Sequence, residues 1–458
     1  MNKLHLLAAI VFVVSATASA QTAPGDSDPR IEKLVASVSE ERLKMLVDTL
    51  AGFHTRNTLS DTSSPTRGIG AARQWIFDEL TRSSPRLQVA FDTYQLKRQG
   101  RITRSVELRN VLAILPGRSA RRIYVSAHYD TVSIPKGQIE ANTRPPTKPG
   151  EKPPPDPQVR RDQDYNVEAP GANDNGSGTA LTMELARLIA SSGLEFDATI
   201  VFALWAGEEQ GLMGAHAHAA RMLKEKTVVD ADFNNDIVGN IRGGGGDIDA
   251  GSVRLYSEGP EDSMSRSLAR YIERMATRYV PGHRVRLLAR QDRFSRGSDH
   301  EAFNQRGFPA VVFRESKENF TKQHAATDTV DGVDVAYLAK NTRVNLAGVT
   351  ALALAPAAPK IINERNQPTI GRQPSGYDAN LRWQASPGAT AYRIYWREAW
   401  SNDWQHSQQV GNVTEYVLPK MSIDDFVFGV AAVSADGHES LIAAYIAVPR
   451  RNVEVKTR

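Results

Sequence analysis

The chain has no cysteine. That excludes disulfides, thiolate metal ligands and a cysteine nucleophile. Any bound metal must be held by nitrogen and oxygen donors, and an exported form must rely on its core alone. Long runs of one charge are also missing. The 56 Lys and Arg stand against 52 Asp and Glu, spread along the sequence for a net charge of +4, which gives no reason to expect nucleic acid. No apolar stretch is long enough to span a bilayer. The longest near the start, 6–14, follows Lys3 and precedes Ala18-Ser19-Ala20. Together they read as a secretory signal cleaved before Gln21. Residues 1–20 are therefore expected to be removed and the protein exported, to the periplasm or the medium. The four glycines at 243–246 lack the following Lys-Ser/Thr of a phosphate loop.

What is present fills two or three domains, with 41% hydrophobic residues over 458 positions. After a polar leader, 21–30, helical spacing runs over 31–50 and again over 69–80. Strand-like runs follow at 87–94, 110–115 and 122–127. The segment 134–169 holds seven prolines between Pro145 and Pro157. It can form neither a helix nor a central strand and reads as a surface insertion. Beyond it, strands are expected at 198–205, 232–238 and 310–313, and helices at 176–191, 263–278 and 334–354. Strands alternating with helices indicate an α/β fold with a mainly parallel sheet over 31–355. A proline-marked linker, 356–367, leads to 368–449. There Leu381/Trp383, Tyr392/Ile394/Trp396 and Phe426/Phe428/Val430/Ala432 alternate at period two, the pattern of a small all-β sandwich.

The chemistry concentrates at expected strand ends. The run TIVFALW suits a strand buried on both faces, yet it leads directly into Glu208-Glu209. Adjacent carboxylates at such a place need a positive partner, and ligands of open α/β sheets bind beyond the carboxyl ends of strands. His128 and Asp130 close another strand as AHYDT, Asp174 lies in PGANDNGSG before a helix, Asp236 lies in NNDIVGN, and His324 lies in HAATDT. Imidazole with carboxylate suits zinc and some neighbouring first-row metals. Two metals can be served: His128 and Asp236 hold one, Glu209 and His324 the other, and Asp174 bridges them, so that a shared water is activated. Asp130 is placed to accept the second ring N–H of His128. Glu208 is left over as the general base. Taken singly, the histidines have an ordinary structural reading and Asp174 that of a helix cap; the joint pattern carries the inference.

In order, AHYDT, PGANDNGSG, WAGEEQGLMG, NNDIVGN, GSDHEAF and HAATDT resemble the motifs of the family-28 zinc metallopeptidases, over roughly 39–354. The resemblance implies a mixed, mainly parallel eight-stranded sheet between helices and two zinc ions per chain. It places the ligands at His128, Asp174, Glu209, Asp236 and His324, the base at Glu208 and the orienting carboxylate at Asp130. It implies an aminopeptidase acting on peptide N-termini. A carboxypeptidase or dipeptidase on the same scaffold is the alternative, with Arg293, Arg296 and Arg314 as candidates to clamp a carboxylate. A glutaminyl cyclase, which uses one zinc, and a binding module built on the sandwich stand further off. Gln323 occupies a position that many members fill with an aromatic residue. The pattern of 381–440 resembles a fibronectin type III domain, which could dock on a surface or partner.

Overall fold

The computed structural model describes residues 27–134 and 165–446. The expected signal peptide, most of the leader and most of the 134–169 insertion lie outside the described residues. The main body is an eight-stranded sheet. Its strands are β1 (Gln88–Leu96), β2 (Val106–Leu115), β3 (Arg122–His128), β4 (Thr199–Trp205), β5 (Val229–Asn235), β6 (Ser252–Ser257), β7 (Arg284–Leu288) and β8 (Ala310–Glu315). Their spatial order is β1-β2-β4-β3-β5-β8-β6-β7. The central four, β4, β3, β5 and β8, are parallel, whereas β2 and β6 run antiparallel to them.

Among the described residues the α-helices are α1 (Pro29–Ala36), α2 (Glu40–Ala51), α3 (Gly68–Ser83), α4 (Gly176–Ser191), α5 (Met213–Lys224), α6 (Met264–Tyr279), α7 (His300–Asn304) and α8 (Val335–Leu354). The strand β4 shows why the sheet is layered. Ile200, Phe202 and Leu204 enter the core shared with α4 and α8, while Val201, Ala203 and Trp205 enter a second core with Ala215 and Ala219 of α5 and Phe303 of α7. A strand covered on both faces has no polar side, so its sequence is continuously apolar. Each large side chain buried this way contributes about 1.5–3 kcal/mol.

The expected helix over 31–50 is two helices. Ser37 closes α1, and the Ser39 hydroxyl accepts from the Arg42 N–H to start α2, because a serine cap satisfies the orphan amides of a new first turn. The strand expected at 232–238 begins three residues earlier and ends at Asn235, so Asp236 stands just beyond it. The helices α5 and α7 and the strands β6 and β7 were not expected. The first helix is mostly alanine and histidine on its buried side, and the two strands are short, with arginine set among few apolar residues, so none displays a strong apolar period.

The C-terminal region forms two antiparallel sheets. One has the order β13-β10-β9 and the other β12-β11-β14-β15, with β9 (Ile370–Gly371), β10 (Ala379–Arg382), β11 (Ala391–Glu398), β12 (His406–Val410), β13 (Glu415–Leu418), β14 (Phe426–Val433) and β15 (Ala443–Ala444). Leu381, Tyr392, Ile394, Phe428 and Val430 fill the core between them. The region lies against α6 and the start of α1. Leu441 joins the main core, and the Ser267 hydroxyl donates to the Ile442 carbonyl at 2.8 Å. Arg397 pairs with Asp262 at 2.6 Å, and His438 meets Asp28 at 3.0 Å. No described helix is long and apolar enough to cross a membrane.

Candidate metal centre

The carboxyl ends of β3, β4 and β5 bring their terminal residues to one edge of the sheet. His128 is the last residue of β3. At the end of β4, Gly207 takes a positive φ of 75°, a conformation that costs glycine little, and turns the chain so that Glu208 and Glu209 diverge. The segment before α4 is tied to the segment after β5 by its own side chains. Asn175 Nδ2 donates to the Asn235 carbonyl at 2.8 Å, Asn173 Oδ1 accepts from the Gly239 N–H at 2.9 Å, and Ser177 Oγ accepts from the Val238 N–H at 3.0 Å. A Cβ on Gly178 would lie 2.3 Å from the Asn235 carbonyl oxygen, so the close approach of α4 to β5 requires glycine there. These ties set Asp174 beside Asp236. Asp328 adds a second brace, accepting from the backbone N–H groups of Asn173 and Asp174. His324, in the loop after β8, meets Asp174 and Glu209.

All five expected ligands converge. His128 Nε2 lies 3.5 Å from Asp174 Oδ1 and 3.4 Å from Asp236 Oδ1. His324 Nε2 lies 3.2 Å from Asp174 Oδ2 and 3.3 Å from Glu209 Oε2. Thus the two oxygens of Asp174 face different histidines. Donors on a tetrahedral zinc with bonds near 2.05 Å are about 3.3 Å apart, the spacing seen in both sets. His128 Nε2, Glu209 Oε1 and Asp236 Oδ1 are buried and make no hydrogen bond among the described residues. Buried polar atoms are ordinarily paired, and cations held among these donors would satisfy them. The residues therefore fit zinc.

Electrostatics give the same result. His128 is raised well above its usual range and His324 to about 10: burial opposes the charge on each ring, but the surrounding carboxylates, Glu208 and Asp236 for His128 and Glu209 and Asp174 for His324, outweigh it. The carboxylates need cations, a need that metal ions held among them would meet. Glu208 lies 4.0 Å from His128 Nε2. Burial pushes its carboxyl up to about 7, with His128 pulling it down and Asp236 and Asp130 adding to the rise. A buried carboxylate beside the ligands is placed to take and return a proton.

Asp130 meets His128 through its backbone carbonyl rather than, as expected, through its carboxylate. The Nδ1 of His128 is nearest to the Asp130 backbone carbonyl, at 3.1 Å, with the carboxylate at 3.6 Å. That carboxylate accepts from the backbone N–H groups of Glu208 and Glu209 and from the Thr58 hydroxyl, so it fixes the turn carrying both glutamates. Arg293, Arg296 and Arg314 are all in the neighbourhood, and each already has a protein partner. Arg314 pairs with Asp236 Oδ2 at 2.6 Å, Arg293 pairs with Glu318, and Arg296 donates to Gln323 Oε1 at 3.0 Å. Three contributors escaped sequence reasoning. Buried Arg56 donates to the carbonyls of Tyr129, Pro170 and Gly171; Asp328 braces Asp174; and Asp299 is fully buried with neither oxygen bonded among the described residues. For Asp299 a signal existed, since it sits inside the GSDHEAF motif.

The model of peptidase family M28 matches residues 110–349, just over half of the chain. The "Probable zinc metalloprotease" of Leptosphaeria maculans is 33% identical over 448 residues, 90% of this chain and 96% of that protein. Its counterpart in Pyricularia oryzae is 34% identical, covering 90% of this chain and 84% of that one. Among solved structures, the Legionella pneumophila LapA aminopeptidase superposes with a TM-score of 0.52 at 19% identity, over 71% of this chain and 74% of its own. The Porphyromonas gingivalis glutaminyl cyclase does so with 0.51 at 16% identity, over 68% and 98%. At these identities the structures speak for the fold, which a peptidase and a cyclase share.

Proposed function

The chain belongs to peptidase family M28 and is a zinc metallopeptidase, and from that premise we propose that it is an exported aminopeptidase working with two zinc ions. The observation that carries this reading is Asp174, whose two oxygens face His128 and His324 separately. His128 and Asp236 would hold one ion, His324 and Glu209 the other, and Asp174 both. Zinc held this way polarises a scissile carbonyl and acidifies a water. Glu208 is the group beside the ligands that is left free to take a proton from the attacking water and return it to the departing amine. Asp130, pinning the amides of Glu208 and Glu209, keeps that base in register. Six carboxyl groups, those of Asp130, Asp174, Glu208, Glu209, Asp236 and Asp299, surround two histidines, and this acidity suits the α-ammonium of a peptide N-terminus.

The signal-like start of the sequence supports export. For the C-terminal region, 368–449, the order β13-β10-β9 against β12-β11-β14-β15 supports the fibronectin type III reading, with 31–355 as the peptidase domain. The test is a panel of amino-acid anilides with free and acetylated amines, assayed with zinc-loaded protein. Cleavage confined to free amines is expected; equal cleavage of acetylated substrates would remove the aminopeptidase assignment.

A further inference from the structure

The hairpin that joins β1 to β2 reaches further than the sheet requires. The two strands pair from Gln88 with Ile114 to Leu96 with Val106, and the connection 97–105 continues past that register. Within it Gln99 and Ile102 bond to each other in both directions, at 2.9 and 2.8 Å, around Gly100-Arg101. Gly100 takes a φ of 50°, a positive value that suits a two-residue hairpin turn. The tip, 97–100, is exposed, whereas Arg101 is half-buried and Ile102 fully buried. Side chains around Ile102 seat the hairpin on the rest of the molecule. Arg101 Nη1 donates to the Glu209 carbonyl at 3.1 Å, the Thr103 hydroxyl meets the Tyr165 hydroxyl, and Arg104 donates to the Leu59 carbonyl.

The first of these contacts completes the bonding of the Glu208-Glu209 backbone. The N–H groups of Glu208 and Glu209 donate to the two oxygens of the Asp130 carboxylate, at 3.2 and 3.4 Å. The Glu208 carbonyl accepts from the N–H groups of Gly211 and Leu212, at 2.8 and 2.9 Å. The Glu209 carbonyl is the remaining group, and Arg101 supplies its donor. Glu209 is buried, where a backbone carbonyl needs a partner, and a charged donor makes the stronger bond. The contacts close into a ring. Arg104 holds Leu59, whose neighbour Thr58 donates to the Asp130 carboxylate; Asp130 holds the two amides, and Arg101 holds the carbonyl. The backbone of Glu209 is thus fixed from both sides, while its Oε2 lies 3.3 Å from His324 Nε2.

We propose that Arg101 is a positioning residue of the metal centre. By holding the Glu209 carbonyl it sets the direction in which Glu209 presents its carboxylate, and it keeps Glu208 in register beside it. Its action runs through the backbone of the turn, as that of groups behind metal ligands commonly does. Arg101 precedes residues 110–349, the stretch that the family model matches, so the family pattern assigns it no role. The inference rests on the two-zinc reading for the effect expected on zinc, and it adds to the centre a residue from outside the motifs.

The test measures zinc dissociation constants by competition with a chromophoric chelator for the wild type, Arg101→Gln, Arg101→Lys and Arg98→Ala. Glu209→Ala serves as the reference that identifies the ion dependent on Glu209. The melting temperature of each metal-free protein is recorded alongside, with kcat and KM on alanine anilide. Arg101→Gln is expected to weaken the Glu209-dependent zinc about ten- to a hundredfold, to lower kcat more than it changes KM, and to leave the metal-free melting temperature close to that of the wild type. Arg101→Lys keeps a donor and should recover part of the zinc affinity. Arg98 is exposed on the same hairpin, and Arg98→Ala removes a like charge without the contact, so it should match the wild type. Unchanged zinc constants in Arg101→Gln would overturn the assignment. So would an equal weakening in Arg98→Ala, or a fall in metal-free melting temperature that accounts for the zinc lost. Should Arg101→Gln not fold, Arg101→Lys is read in its place: weaker zinc at an unaltered melting temperature supports the positioning role, and unaltered zinc overturns it. One zinc per wild-type chain would refute the two-zinc reading instead, and the dependence of that ion on Arg101 can still be read.

Discussion

Glu208 and Glu209 are adjacent in sequence and differ in surroundings. Glu209 faces His324, while Glu208 stands 4.0 Å from His128 Nε2. Glu208→Gln should keep the zinc content and lower kcat by about a hundredfold or more; unaltered turnover would move the base elsewhere. Buried Asp232 gives a prediction about pH. Its Oδ1 accepts from the Ser126 hydroxyl, Oδ2 has no partner among the described residues, and burial raises the carboxyl from 3.8 to about 7. The unfolded chain releases this proton near pH 4 and the folded one near 7. Between them the unfolded state binds fewer protons, so this group costs stability as pH rises through that window. Asp232→Asn should therefore gain on the wild type between pH 5 and 7 in denaturant titrations, by no more than about 4 kcal/mol. A pH-independent difference would contradict the burial argument. The metal-ligand candidates were legible because each lies in a turn motif at a strand end. Asp328 and Arg56 were not, because each acquires its role only through contacts between distant parts of the chain, such as Asp328 with the Asp174 N–H.

At the scale of elements, the approach of α4 to β5 builds the centre. Gly178→Ala puts a methyl group 2.3 Å from the Asn235 carbonyl, a clash that must push the helix outward. A loss of about 1–3 kcal/mol is expected, together with reduced zinc affinity, since Asp174 moves with the helix start. Normal zinc binding in a destabilised variant would separate the helix from the site. The helices α4, α6 and α8 and the strands β3 and β4 were legible from period and apolar runs. The helix α8 is buried almost throughout and carries Asn345, paired with Asn235, yet its length and apolar content still marked it. Short β6 and β7 were illegible, because their side chains pack on a sheet whose other strands come from far along the chain.

At the scale of the molecule, the C-terminal sheets were legible as alternating segments, but their seat on α6 was not. That seat depends on single contacts, Leu441 in the main core and Arg397 on Asp262, which leave no periodic trace. Removing 356–458 should uncover apolar surface on α6 and lower the melting temperature by several degrees in calorimetry; an unchanged value would mean that the sheets are merely tethered. The central claim concerns the centre itself and is tested most directly by zinc content per chain after reconstitution and removal of free metal. The geometry around Asp174 predicts about two zinc ions in the wild type and the loss of both in Asp174→Ala. One zinc per chain, or two retained in the variant, would contradict it.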